Sequence, residues 1–226
     1  MEPKRGPADV DRHVNRLAHR QHGAVSRSQL LRLGLGAEAI KHRVRTGRFS
    51  LLHRGVYAVG SAPGTRERRW VAAVLACGEG AVLSHLSAAA LWQLRPVDPS
   101  VIDVSVQRGG RRSRDGLRIH RPRRMDARDT THLRAIPVTT VPRTLIDLAE
   151  TIARHSLERA LDEAEYLNLV HQPDLEAALE RARGRTAPPA SRPACAATSP
   201  APPARGAHSR RPSCCSYARP ACLSPR

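Results

Sequence analysis

Apolar residues recur along the first sixty positions with a helical period, and then in two short runs. Val10, Val14 and Leu17 stand at i, i+4 and i+7, which predicts one buried helical face over residues 9–22. Gly23 breaks that pattern. Ser26 offers an N-cap to a short second helix over residues 27–33, carrying Leu30 and Leu31. Gly34 and Gly36 make a turn, and residues 37–46 form a third helix that turns Ile40 and Val44 inward and closes at Gly47. The apolar runs around Arg54-Gly55, within residues 49–59, predict a β-hairpin. Three short helices followed by a hairpin is the order of a winged helix-turn-helix, whose third helix enters the DNA major groove.

Beyond residue 60 the pattern mixes helices and strands. Residues 65–94 read as two helices broken at Gly78 and Gly80, the first with Trp70, Val71, Val74 and Leu75 on one face. Ser84 caps the second, which carries Leu86, Ala89, Ala90, Leu91 and Leu94 and stops at Pro96 and Pro99. Residues 101–106 alternate as a strand. Residues 109–116 read as a basic turn, with Arg108, Arg111, Arg112 and Arg114, and residues 117–120 as the strand returning from it. Residues 136–139 predict an edge strand, since Pro137 has no N–H to donate. A helix starting at Thr140 or Thr144 carries Leu145, Ile146 and Leu148. Another over residues 155–168 sets Leu157, Ala160, Leu161 and Ala164 opposite Glu158, Asp162, Glu163 and Glu165, and residues 174–183 make a last short one. The expected fold is α+β: a winged helix-turn-helix over 1–60, a small mixed α/β domain over 61–184, and a disordered Pro/Arg-rich tail over 185–226.

Charge sharpens the picture. The 226-residue chain has 38 Lys+Arg against 20 Asp+Glu, a formal charge of +18. Residues 1–60 hold twelve Lys/Arg and four acids, a density that attracts a polyanion, and phosphate is the usual one. Arginine written by GC-rich codons is the bland account of the same charge, and it leaves the helix order unexplained. No apolar run is long enough for a membrane helix and no secretory signal opens the chain, so a cytoplasmic location is expected. Residues 187–226 contain nine of the eighteen prolines, six Arg and no acid, too little aliphatic content to pack a core. One set of GC-rich codons for residues 213–225, read two bases later, spells an amphipathic stretch. The tail is therefore expected to be an out-of-frame translation. Cys195, Cys214, Cys215 and Cys222 lie there without zinc-site spacing.

The residues that could carry DNA binding follow from the helices. On the third, His42 and Arg45 suit base-edge contacts, while Lys41, Arg43 and Arg48 suit phosphates. Arg27 and Ser28 begin the second helix, and His53 and Arg54 stand at the hairpin tip. The same residues also suit an ordinary solvated helix face and a simple turn. No set points to an enzyme, a metal or a cofactor. Asp103 and Asp115 are single acids without a partner at nuclease spacing. Ser84-His85 suggests a nucleophile and base, but adjacent residues on a helix point about 100° apart. Glu158, Asp162 and Glu163 lack the His of a metal box.

Several stretches together resemble the AbiEi-type antitoxin family of type IV toxin–antitoxin systems. They are His53-Arg54-Gly55-Val56-Tyr57-Ala58-Val59-Gly60, Ala73-Val74-Leu75-Ala76-Cys77-Gly78, Ser84-His85-Leu86-Ser87-Ala88-Ala89-Ala90-Leu91-Trp92, and Ile136-Pro137-Val138-Thr139-Thr140 with Arg143-Thr144-Leu145-Ile146-Asp147-Leu148-Ala149. The resemblance runs from about residue 9 to 180 and is nearest to actinobacterial members. It implies a winged helix that binds promoter DNA and represses its own operon, a second domain with antitoxin activity, and a nucleotidyltransferase-like toxin as partner, acting without direct contact. Longer proteins of this kind end in an endonuclease-like domain, so a truncated remnant of a DNA-processing nuclease is the alternative expectation.

Overall fold

The computed structural model describes residues 7–60, 64–96, 100–107 and 115–182. Of the basic turn read at 109–116 all but residues 115 and 116 lie outside the described residues, as does the tail with its four cysteines. Helix α1 (Pro7–Arg20) has Asp9 in its first turn and His19 and Arg20 in its last, charges that match the helix dipole. It buries Val10, Val14 and Ala18. Gly23, at φ +87°, turns the chain into β1 (Ala24–Ser26), a strand too short to show alternation in the sequence. Helices α2 (Arg27–Arg32) and α3 (Ala37–Arg45) follow, then β2 (Phe49–His53) and β3 (Val56–Val59). These strands form an antiparallel sheet in the order β1-β3-β2. The winged helix-turn-helix is therefore present, with β1 as a third strand paired beside β3 of the hairpin.

One apolar position differs from the expectation. Leu30 and Ile40 are buried, but Val44, expected inward, is 37% exposed. Helix α3 is rolled so that Arg43, three residues after Ile40, takes the inward position. Its guanidinium is held by Asp11 of α1 at 2.6 Å and by the Ala39 carbonyl at 3.3 Å.

The three-stranded sheet has an apolar residue on each face, as a period of two demands. Val25, Phe49, Tyr57 and Val59 pack with α1–α3, whereas Ala24, Val56 and Leu52 pack with the following section. That section starts with α4 (Arg66–Cys77), in which Trp70, Val71, Ala73 and Val74 are buried. It continues through β4 (Val82–Leu83), α5 (His85–Leu91), β5 (Ile102–Ser105), β6 (Leu117–His120), a 3₁₀ turn (Ala127–Asp129), β7 (Thr130–Leu133) and β8 (Ile136–Thr139). Helices α6 (Val141–Ala149), α7 (Arg154–Tyr166) and α8 (Gln172–Ala182) complete it. A further core joins Ala89 and Leu94 to Val141, Leu145 and Leu148 of α6, Ala160 and Ala164 of α7, Val170, and Ala178 is buried on α8.

The second sheet has five strands in the order β6-β5-β4-β8-β7, mixed in direction. Two expectations fail here. β6 does not return from β5 as a hairpin but runs parallel to it, Ile102 beside Leu117 and Val104 beside Ile119. The connection of eleven residues, 106–116, can reach about 36 Å, enough to carry the chain back to the same end of the sheet. β8 is an inner strand, between β4 and β7. Pro137 is tolerated because β4 has only two residues and meets β8 in register at Leu83 and Val138 alone. Ser84 does precede α5 in extended conformation, but its hydroxyl does not cap the helix.

Candidate nucleic-acid interface

Helix α3 presents Glu38, Lys41, His42 and Arg45 to solvent, at i, i+3, i+4 and i+7. Its N-terminus follows Gly36, and its last carbonyls are closed by Thr46, whose backbone N–H and hydroxyl both donate to the His42 carbonyl, at 2.9 and 3.0 Å. The charges along this face are unequal. Lys41 Nζ is paired with Glu38 at 2.8 Å. Arg43 is spent on Asp11, with a side chain only 16% exposed, so the expected phosphate contact from Arg43 is withdrawn. Arg45 meets His42 Nδ1 at 3.4 Å and has no carboxylate partner among the described residues. Arg48, exposed just beyond Gly47, has none either.

The start of α2 is built by a capping box. Gln29 N donates to Ser26 Oγ at 3.2 Å, and Ser26 N donates to Gln29 Oε1 at 2.9 Å. The Arg27 backbone N–H donates to the Gly55 carbonyl at 2.8 Å, which ties the hairpin turn to the first turn of α2. Arg54 and the half-buried Arg27 therefore neighbour one another, and Gly55 adopts the left-handed φ of +81° that the turn requires. Ser28 is exposed, with its hydroxyl 2.9 Å from Ser26 Oγ. His53 points elsewhere. It is half-buried and lines a cleft of about 250 Å³ with Leu52, Arg68, Arg69 and Ala72, on the side of α4.

A second constellation was missed in the sequence because its members are scattered. Asp103 Oδ1 lies 2.8 Å from His120 Nε2 and 3.5 Å from Arg118 Nη1. The His120 ring stacks on His85 at 3.5 Å between centroids. His85 Nδ1 is 3.0 Å from Ser84 Oγ, and Ser105 Oγ donates to Ser84 Oγ at 2.8 Å. Ser84 is outside the helix and His85 has φ +50°, so the 100° separation of helical neighbours does not apply to them. One signal was available: Asp103 and Ser105 alternate with Ile102 and Val104 exactly as Arg118 and His120 alternate with Leu117 and Ile119. The Ser84 and Ser105 side chains are enclosed by protein, and their hydroxyls serve this buried network. Among the described residues no group of three His, Cys, Asp or Glu is placed to hold a metal ion, and no helix is long and apolar enough to cross a membrane.

The order of helices and strands is that of a winged helix-turn-helix, and Arg45 is the cation of α3 with no carboxylate partner among the described residues. Residues 12–60, about a fifth of the chain, match the family model described as "Transcriptional regulator, AbiEi antitoxin", so this segment is similar to the DNA-binding regulator domain of that family. Among solved structures, the crystal structure of the RV2827C protein from Mycobacterium tuberculosis is similar at a TM-score of 0.41 and 20% identity, covering 79% of this chain and 73% of that one. No curated protein matches the chain.

Proposed function

We propose that this protein is the antitoxin of a type IV toxin–antitoxin system and represses its own operon by binding the promoter. The observation that carries the reading is Arg45, an uncompensated cation on the exposed face of the third helix of a winged helix-turn-helix. A guanidinium in that position can donate a bidentate pair to guanine O6 and N7, with His42 beside it and Arg48, Arg27 and Arg54 set for phosphates. The protein works in the cytoplasm, without catalysis or cofactor. Its partner toxin is a nucleotidyltransferase-like enzyme that it opposes without direct contact. Protection of the chain's own promoter from DNase, with a reporter repressed in its presence, tests the reading. A protein that binds promoter and random duplexes equally at 0.15 M salt would overturn it, because phosphate contacts alone carry no sequence information.

A further inference from the structure

Outside the winged helix, the stretch between β6 and the 3₁₀ turn carries Arg121, Arg123 and Arg124. Two of its backbone carbonyls are held from within the fold. Arg143 Nη1 donates to the Arg124 carbonyl at 3.3 Å, and Gln107 Nε2 donates to the Met125 carbonyl at 2.5 Å. Beside it lies an open cavity of about 510 Å³, with Arg123, Arg124, Arg181, Gln107 and Asp126 in its wall.

The acids near this wall are already occupied. Asp126 accepts from Arg128 Nε at 3.1 Å, Nη2 at 3.2 Å and the backbone N–H at 2.9 Å, and the Arg128 side-chain bonds do most to hold its carboxyl down at about 2. Asp129, buried behind the wall, is shared between Arg143 at 3.0 Å and Arg181 at 2.9 Å. That shared carboxylate fixes Arg181 in place. Arg123 and Arg124 have no carboxylate within salt-bridge distance among the described residues. A concave wall with two uncompensated guanidiniums, a third one anchored, and a backbone fastened by its carbonyls is rich in donors and poor in acceptors. Guanidinium forks match the oxygens of a tetrahedral oxyanion in pairs.

We propose that the cavity walled by Arg123, Arg124 and Arg181 is a phosphoryl-binding site, separate from the winged helix. The chemistry is shared by a free phosphate-type anion and by the phosphodiester backbone of DNA. It does not depend on the function proposed for α3, because none of the residues of α3 takes part.

Two readouts on R123Q/R124Q test it, with inorganic pyrophosphate and a random-sequence DNA duplex as probes. Both side chains are exposed, so the melting temperature without anion should equal that of the unaltered protein. Pyrophosphate at low salt should raise the melting temperature of the unaltered protein by a few degrees, and that shift should vanish in the double variant. If the backbone of DNA is a source, the slope of log affinity against log salt should also fall by about two. Loss of the pyrophosphate shift with an unchanged slope supports a free anion, and a reduced slope supports DNA. An unchanged slope, with pyrophosphate acting equally on both proteins or on neither, overturns the site. Should the double variant fail to fold, R123Q and R124Q singly are read in the same way, each with about half the slope change. A pyrophosphate shift that is lost in R123Q/R124Q, seen in a protein with no preference for its promoter, would sustain this site while the α3 reading fails.

Discussion

Arg43 and Arg45 are two residues apart on α3 and have opposite roles. Arg43 is drawn inward to Asp11 and joins α3 to α1, while Arg45 faces solvent with no carboxylate partner among the described residues. If Arg45 reads a base, Arg45→Ala should cost about 1–3 kcal/mol on the preferred site and much less on random duplex. Gel-shift titrations on both DNAs check this, and an equal loss on the two would make Arg45 a phosphate contact instead. Arg43→Ala should act on stability rather than on base preference. A charged, partly buried hydrogen bond contributes roughly 1.5–3 kcal/mol, and Asp11 is half-exposed, so the lower end is expected. Urea unfolding of Arg43→Ala, Asp11→Ala and the pair should show a favourable coupling of about 1 kcal/mol; strict additivity would mean the bridge contributes nothing.

Among the elements, the hairpin is the one whose role the structure changes most. Its tip is not a free finger: the Arg27 N–H to Gly55 carbonyl bond docks the turn on the start of α2, and Leu52 packs toward α4. Arg54 is thereby held, exposed, beside Arg27 at the start of α2, where two guanidiniums stand together to meet a phosphate. Arg54→Glu should weaken binding to every DNA and lower the salt slope by about one. Measurement of affinity from 50 to 200 mM salt decides it, and a slope equal to that of the unaltered protein would place the tip off the DNA. The 3.6 period marked α1 and α7 within two residues, since both are long and amphipathic. β1, β4 and β7 were not readable. β1 and β4 have two or three residues, too few for alternation to register, and β7 (Thr130–Leu133) carries a single apolar residue; these strands exist because neighbours pair with them.

For the molecule as a whole, the junction between the winged helix and the following section turns on Arg68. It is buried on α4, and its Nε donates to the His22 carbonyl at 3.0 Å, next to Gly23. A Cβ on Gly23 would lie 2.6 Å from Arg68 Nη2, at a φ that side chains rarely adopt. Gly23→Ala should therefore destabilise the protein by roughly 1–3 kcal/mol. Thermal unfolding reads it, and a melting temperature within one degree of the original would show that Arg68 moves aside without cost. At the other end, a chain stopped after Arg183 keeps every described element. Its melting temperature and promoter preference should stay as they were; an insoluble truncated protein would show that residues beyond 183 contribute to the fold.

Much of the winged helix was determined by the sequence itself. Helical spacing, Ser26 with Gln29, and the glycines at 23, 47 and 55 are local signals, set within a few residues of the chain and independent of what packs on them. The α+β character of the rest was also readable, because its strands and helices alternate. Tertiary structure alone decided the parallel course of β6, the inner place of β8, the gathering of Asp103, His120, His85 and Ser84, and the loss of Arg43 from the exposed face. Each of these depends on partners between 15 and more than 50 positions away, and on charges that cancel only once the chain is folded. A count of arginines records how many cations there are, whereas the fold decides which of them are left without an acid.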